Sequence, residues 1–576
     1  MRTRRAARWT AWTAWAGALA LVAACGAGAG TGAGAQARAG GEAAQATLVL
    51  VGGDVHTNDP ARPRAQAVAV RGNRIVEVGD DAAVRALVGP DTRVVELAGR
   101  TVTAGLVDGH CHLYGLGSMN DKVALKGATS EADAVARTVA WARSRGAGEW
   151  IEGRGWDQNR WGGAFPTRAS LDAAIGDRPV VLTRVDGHAI WVNGAALAAA
   201  GINRNSKDPA GGRIVRDAHG EPTGVLVDNA ADLVTAKIPP ASAAVRERRI
   251  RAAAAEAIAT GLTGVHEMGL DDATIAVYRD LEKRGELPLR VDAYLLATPE
   301  VLAGLKEREL DPDDGDAYFS LVGVKLFADG ALGSRGAALA ADYSDDPGNR
   351  GLWVTPPDEL ERDVAIAAGA GWQVATHAIG DAATHATVDA YEAAIAASPG
   401  SDLRLRVEHA QVMMEDDIPR MGRLKIIASM QPTHATSDMP WAEARLGPER
   451  IKGAYAWRKM LDAGVLVVAG SDFPVEETSP TFGLYAAVTR QDPDGKPDGG
   501  WYPDQRMTLD EAVYAFSAAP AIAVFAEEHR GWVRPGMVAD LTVFDRPLVG
   551  GHELVESQAA MTIVGGEVVF ERGAAK

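Results

Sequence analysis

The spacing of apolar positions changes texture twice along this chain. From 47 to 104, short apolar runs alternate with turn residues. The runs are Thr47-Leu-Val-Leu-Val51, Ala65 to Val70, Arg74-Ile-Val-Glu-Val78 and Arg93-Val-Val-Glu-Leu97, parted by Gly52-Gly53, Arg71-Gly-Asn73 and Gly79-Asp80-Asp81. Short apolar runs bounded in this way predict β-strands. The same texture returns at the other end, in Ala539-Asp-Leu-Thr-Val-Phe544 and Met561-Thr-Ile-Val-Gly-Gly-Glu-Val-Val-Phe570, where Gly565-Gly566 predicts a hairpin turn. The two ends, 46–104 and 531–576, are expected to complete one β-sandwich.

Between them, from 105 to 530, strand-like runs alternate with alanine-rich helical segments. Glu131 to Arg145 and Arg246 to Thr260 read as helices. Thr101 to Val107, Arg290-Val-Asp-Ala-Tyr-Leu-Leu296, Leu321 to Phe327, Trp372 to His377, Arg404 to His409, Lys425 to Met430 and Val465 to Asp472 read as buried strands. Apolar strands alternating with helices imply a parallel sheet, and this repeat number closes most naturally as a (β/α)8 barrel. The stretch from about 150 to 240 breaks the pattern. It carries Trp150, Trp156, Trp161 and Trp191 and the turns Pro209-Ala-Gly-Gly212 and Ala218-His-Gly-Glu-Pro222. The predicted fold is therefore α/β: a TIM-like barrel, a β-sandwich formed from both chain ends, and an insertion after the first barrel strand.

Residues 1–25 have the form of an export signal. Arg2, Arg4, Arg5 and Arg8 precede an apolar stretch from Trp9 to Ala24 that is too short for a membrane span. Its end, Val22-Ala-Ala-Cys25, resembles the lipobox of bacterial lipoproteins, so Cys25 is the expected lipid anchor and the only expected membrane contact. Plain secretion is the alternative. Residues 26–45 read as a flexible Ala/Gly tether. Charge adds an exclusion: 59 Lys+Arg against 76 Asp+Glu give −17, which argues against nucleic acid as a partner. With Cys25 lipidated, Cys111 is the one remaining cysteine, so no intramolecular disulfide is expected. A homodimer is compatible with all of this.

The chemistry lies at the strand ends. In Leu106-Val-Asp-Gly-His110-Cys-His112-Leu113, the two histidines are one residue apart, and strand residues i and i+2 share a face. Imidazole is the commonest protein ligand for transition metals. Lys325, His377, His409 and Asp472 also end apolar strands, and in a barrel those ends form the catalytic face. His110, His112 and Asp472 are expected to hold one divalent metal, and His377 with His409 a second. An ammonium has no lone pair with which to ligate. A buried Lys325 of depressed pKa can instead form a carbamate with CO₂ and bridge the two positions through oxygen.

Several stretches resemble the amidohydrolase superfamily of metal-dependent hydrolases, and more narrowly its family 3 or YtcJ-like branch, which includes N-substituted formamide deformylase-like proteins. They are Gly105 to Leu113, Val324-Lys-Leu-Phe-Ala-Asp-Gly-Ala-Leu-Gly-Ser-Arg335, Thr376-His-Ala-Ile-Gly-Asp381, Arg406-Val-Glu-His-Ala-Gln411, Met430-Gln-Pro-Thr-His434 with Ser437 to Trp441, Gly470-Ser-Asp-Phe-Pro474 and Arg534 to Phe544. The resemblance runs from about 46 to 570. It implies a barrel with a split sandwich, one or two Zn2+ ions per chain, and hydrolysis of an amide-like carbon–nitrogen bond in a small molecule. Cys111, between the two histidines, departs from the pattern, and strand alternation should turn it away from the metal.

The expected reaction is attack of a metal-activated hydroxide on a carbonyl, with Asp472 as general base and then acid and His434 steadying the oxyanion. Trp156 and His188 are candidate pocket walls from the insertion. His266, ending another strand-like run, is a further candidate to face the substrate. Asp329 and Arg335, in the loop after Lys325, either pair with each other to fix that loop or bind a substrate carboxylate. Deamination, lactone or ester hydrolysis and N-acyl amino acid cleavage on the same site remain open by sequence, as does a non-catalytic, surface-anchored binding protein.

Overall fold

The computed structural model of the protein describes residues 45–574, apart from 147–148, 185–188, 210–211, 229, 312–314 and 334. The export segment with Cys25, the tether up to residue 44, and His188 lie outside the described residues. The chain divides into two compact units, one running to Leu113 and resuming at Ala254, the other spanning Tyr114–Ala253.

The first unit is built on eight consecutive parallel strands: β1 (Leu106–Cys111), β2 (Leu262–Leu270), β3 (Arg290–Leu296), β4 (Phe319–Phe327), β5 (Gln373–Ala378), β6 (Arg406–His409), β7 (Ile427–Met430) and β8 (Val467–Ala469). Each pairs in parallel with its sequence neighbour. The two outer strands then meet just past their ladders, where Asp472 N–H donates to the His110 carbonyl at 2.8 Å and His112 N–H donates to the Phe473 carbonyl at 2.9 Å. Gly109 makes that approach feasible, since a Cβ there would lie 2.2 Å from Val468 Cγ1. The result is a TIM-like barrel flanked by further sheets.

The two chain ends supply those flanking sheets. One has the order 74–79, 67–71, 48–51, 93–96, and the other 567–571, 559–564, 541–544, 101–104, 54–56, 64–65. Leu48 and Leu50 pack in one core with Val102, Leu541, Val543 and Ile563, which joins the N- and C-terminal segments. Val49 and Val51 face the other way, against Val84 of the helix Asp81–Arg85. Burial on both faces explains why this strand is apolar without alternation. Gly565 and Gly566, at φ 58° and 80°, form the hairpin turn between the last two strands, as a primed turn requires. The apolar run Thr101 to Val107 is not one strand. Thr101–Ala104 pairs in the sandwich and Leu106–Cys111 opens the barrel, with the break at Gly105, where a Cβ would stand 2.2 Å from Thr263 Oγ1.

The second unit is wider than the insertion drawn at about 150–240. It holds a six-stranded sheet in the order 212–216, 222–228, 189–192, 180–184, 151–156, 123–124. Its core gathers Trp156, Leu171, Leu182, Trp191 and Val225, all fully buried.

Candidate metal centre

The C-terminal ends of the barrel strands converge on Asp472. Its Oδ1 lies 3.2 Å from His112 Nε2 and 3.5 Å from His110 Nε2, and its Oδ2 lies 3.8 Å from His434 Nε2. Two groups result, His110/His112/Asp472 and His409/His434/Asp472, each with its ligand-type atoms within 4.8 Å of one another. Backbone conformation does part of the aiming. His409 and Asp472 sit at φ 71° and 61°, in the left-handed region that costs a non-glycine residue on the order of 1–3 kcal/mol. Beyond His409 the chain therefore leaves the regular strand path, and its imidazole joins a site that strand alternation from Glu408 would have denied it.

The outer ring nitrogens are already occupied. His110 Nδ1 is 2.6 Å from Glu408 Oε2, His112 Nδ1 is 3.1 Å from the Met268 carbonyl, and His409 Nδ1 is 2.9 Å from Gln431 Oε1. A carbonyl can only accept, so His112 donates at Nδ1; without a metal, burial is outweighed by the Asp472 carboxylate, which raises the pKa of the ring and favours a second proton at Nε2, whereas a bound cation would take that proton's place on an Nε2 lone pair. Lone pairs facing a carboxylate at this range are stable with a cation among them. Asp472 Oδ1 and His434 Nε2 are buried without a hydrogen-bond partner, as are His377 Nε2 and Lys325 Nζ. The donor set of imidazole nitrogens and carboxylate oxygen therefore fits a divalent transition metal.

Charges follow the same logic. Burial, with the Lys325 charge behind it, brings His110 down to about 4 and His377 to about 3. Burial likewise holds His409 well below the ordinary imidazole range. Burial alone would raise the carboxyl of Asp472, but His112, His110 and His434 outweigh it and hold it well below the usual carboxylate range. Burial lowers Lys325 to about 8. Asp108 is fixed beneath the site, accepting from Ser471 Oγ at 2.6 Å and from the backbone of Ser471 and His110.

Residues 93–570 match the amidohydrolase family. The chain belongs to that family. It is 34% identical to the putative amidohydrolase YtcJ of Bacillus subtilis, over 90% of this chain and 99% of that protein. It is 30% identical to N-substituted formamide deformylase of Arthrobacter pascens, over 91% and 98%. An uncharacterized metal-dependent hydrolase from Pyrococcus furiosus has the same fold, with TM-score 0.73 and 29% identity over 87% of this chain and 99% of that one. This amidohydrolase is accordingly a metal-dependent hydrolase.

Against that geometry, several sequence expectations need correction. Trp156 is no pocket wall. It is fully buried in the core of its own unit, its indole N–H donates to the Leu182 carbonyl at 2.7 Å, and Trp161 and Trp191 pack on it. His266 does not face substrate either. Halfway along β2 it points into the barrel interior, fully buried, and accepts from Arg406 Nη1 at Nδ1, 2.8 Å away. Arg335 and Asp329 do not pair. Arg335 binds Asp345 at 2.8 and 3.1 Å, while Asp329 accepts backbone N–H groups of Ala338, Ile379 and Gly380 and so ties three loop segments together. His434, assigned to an oxyanion by sequence, lies in the first turn of the helix Pro432–Asp438, beside His409 and Asp472. His377 stays close, its ring centroid 4.5 Å from that of His409 and its Nε2 3.7 Å from Asp329 Oδ1, but outside both three-residue groups.

Arg406, Glu408 and Gln431 were missed by sequence as site residues. A signal existed for the first two. Opposite charges at i and i+2 of an otherwise apolar strand share one face and must find partners when buried.

Proposed function

We propose that this hydrolase cleaves a carbon–nitrogen bond of a small amide-like molecule, N-formyl or N-acyl, using Asp472 as general base and then acid on a zinc centre. The observation that carries the reading is the unpartnered Asp472 Oδ1, flanked by the Nε2 atoms of His110 and His112. His110, His112 and Asp472 would hold one ion, and His409 with His434 and Asp472, or with His377, a second. A divalent ion there supplies a Lewis acid that polarises a carbonyl and lowers the pKa of a water. The residues of this chain do the rest. Asp472, ionised at neutral pH, accepts the proton of the attacking water and returns it to the departing amine. With the second ion on His409 and His377, His434 Nε2, 3.8 Å from Asp472 Oδ2, is left to orient the carbonyl oxygen. With its amine lowered to about 8, Lys325 keeps a neutral fraction near neutral pH, the form that takes up CO₂ to give a carbamate donor. The kinship with a protein named N-substituted formamide deformylase supports an amide over other bonds.

The test is Asp472→Asn, with metal content and turnover measured on a panel of N-formyl amides, N-acyl amides and esters. Turnover should fall by about 10²–10⁴-fold, the range for losing a general acid–base group. Full activity in a metal-replete variant would refute the role. Faster hydrolysis of esters or lactones than of any amide by the native protein would refute the substrate class. The N-terminal sequence further supports export and lipidation at Cys25. Cys25→Ala should move the protein from the membrane fraction to the soluble exported fraction, measured by fractionation.

A further inference from the structure

One arginine ties the barrel interior together beneath the histidines. Arg406 Nε and Nη2 donate to the two carboxylate oxygens of Glu408 at 2.8 and 3.2 Å. Nη2 also donates to the Gly109 carbonyl at 2.7 Å and to Ser429 Oγ at 3.0 Å. Nη1 donates to His266 Nδ1 and to the Tyr294 hydroxyl, which donates onward to Gln373 Oε1 at 2.8 Å. Strands β1, β2, β3, β6 and β7 thus meet at a single buried guanidinium, with β5 joined one bond further on through Tyr294, and neither Arg406 nor Glu408 has any exposed surface. Glu408 spends Oε2 on His110 as well, 2.6 Å from Nδ1.

We propose that Glu408, clamped by Arg406, is a positioning residue that sets the metal affinity of this site through His110. The inference rests on the metal-hydrolase reading above. An ionised carboxylate can only accept, so His110 must donate from Nδ1, and its Nε2 lone pair is left aimed at Asp472 Oδ1. The bidentate clamp keeps Glu408 from rotating, and the bond from Arg406 to the Gly109 carbonyl holds the strand that bears His110. Outer-shell partners of this kind are typically worth about 10–100-fold in metal affinity. A purely structural ion pair would instead affect folding and leave the affinity of the folded protein alone.

The experiment strips the full chain with a chelator and titrates Zn2+ back against a chromophoric competitor. The dissociation constant and the urea stability of the metal-free form are both measured. Glu408→Gln keeps the shape and removes the charge. Glu408→Asp keeps a charge opposite Arg406, so the barrel can still fold, but withdraws the carboxylate from His110 by one methylene. Each variant should bind Zn2+ about 10–100-fold more weakly than the native chain. An unchanged Zn2+ dissociation constant in Glu408→Asp overturns the inference, whatever happens to stability, and that variant decides the matter if Glu408→Gln does not fold. A native chain that binds no divalent ion at all would overturn the metal-site reading itself.

Discussion

At the scale of single residues, the barrel interior is where burial and charge compete most sharply. His266 is fully enclosed, and burial, with the charges of Arg406 and Arg530 behind it, holds its pKa well below the ordinary value of 6.5. Its Nδ1 accepts from Arg406, which a protonated ring could not do. In the unfolded chain His266 takes up a proton below pH 6.5, whereas in the folded protein it does not. Stability is therefore fully present above 6.5 and falls as the pH drops through that value. The slope is at most about 1.4 kcal/mol per pH unit for this one group. Other buried histidines add to the total, so the measurement is a difference. Urea unfolding of the metal-free native chain and of His266→Gln at pH 7.5, 6.5 and 5.5 should show a shallower acid slope in the variant, whose amide oxygen can still accept from Arg406. Parallel slopes would mean that His266 contributes nothing.

At the scale of elements, the join between barrel and sandwich rests on a few buried polar contacts. Arg290, at the start of β3, donates to Asp540 at 2.7 Å, and Asp540 also takes the Gly565 N–H of the C-terminal hairpin at 2.7 Å. Both charges are nearly sealed from water. Removing one partner leaves the other buried and unpaired, which typically costs about 3–5 kcal/mol. Asp540→Ala is expected to lose that much in urea unfolding of the metal-free protein, and a loss below about 1 kcal/mol would show the pair to be dispensable. The closure of the barrel makes a second demand. Gly109→Ala would press a methyl onto Val468 Cγ1 and the Ala469 carbonyl, and should cost about 1–3 kcal/mol while shifting the backbone that carries His110.

For the whole molecule, the metal is expected to stabilise the fold, because the site takes ligands from both ends of one barrel. His110 comes from its first strand, His112 from just past that strand, and Asp472 from just past its last. An ion bound only by the folded state adds about 2.7 kcal/mol at a hundredfold excess over its Kd. Treatment with a chelator should lower the melting temperature, and Zn2+ should restore it. No shift in either direction would count against the site. The sequence by itself determined the alternation of strand and helix, the sandwich shared by the two ends, and the paired histidines with Asp472, because strand period and strand-end chemistry are local properties. Tertiary structure alone decided the rest. The apolar run at Thr101 reads as continuous, yet Gly105 divides it between two sheets because Thr263 leaves no space for a side chain. Trp156 looks like a pocket wall from its composition, but it closes a core because Leu182, on the neighbouring strand, accepts its N–H. His409 and Asp472 reach the centre through left-handed backbone, which no two-residue period can forecast. Whether Arg406 and Glu408 were surface charges or the buried support of His110 depended on which strands stood around them, and only the closed barrel fixes that.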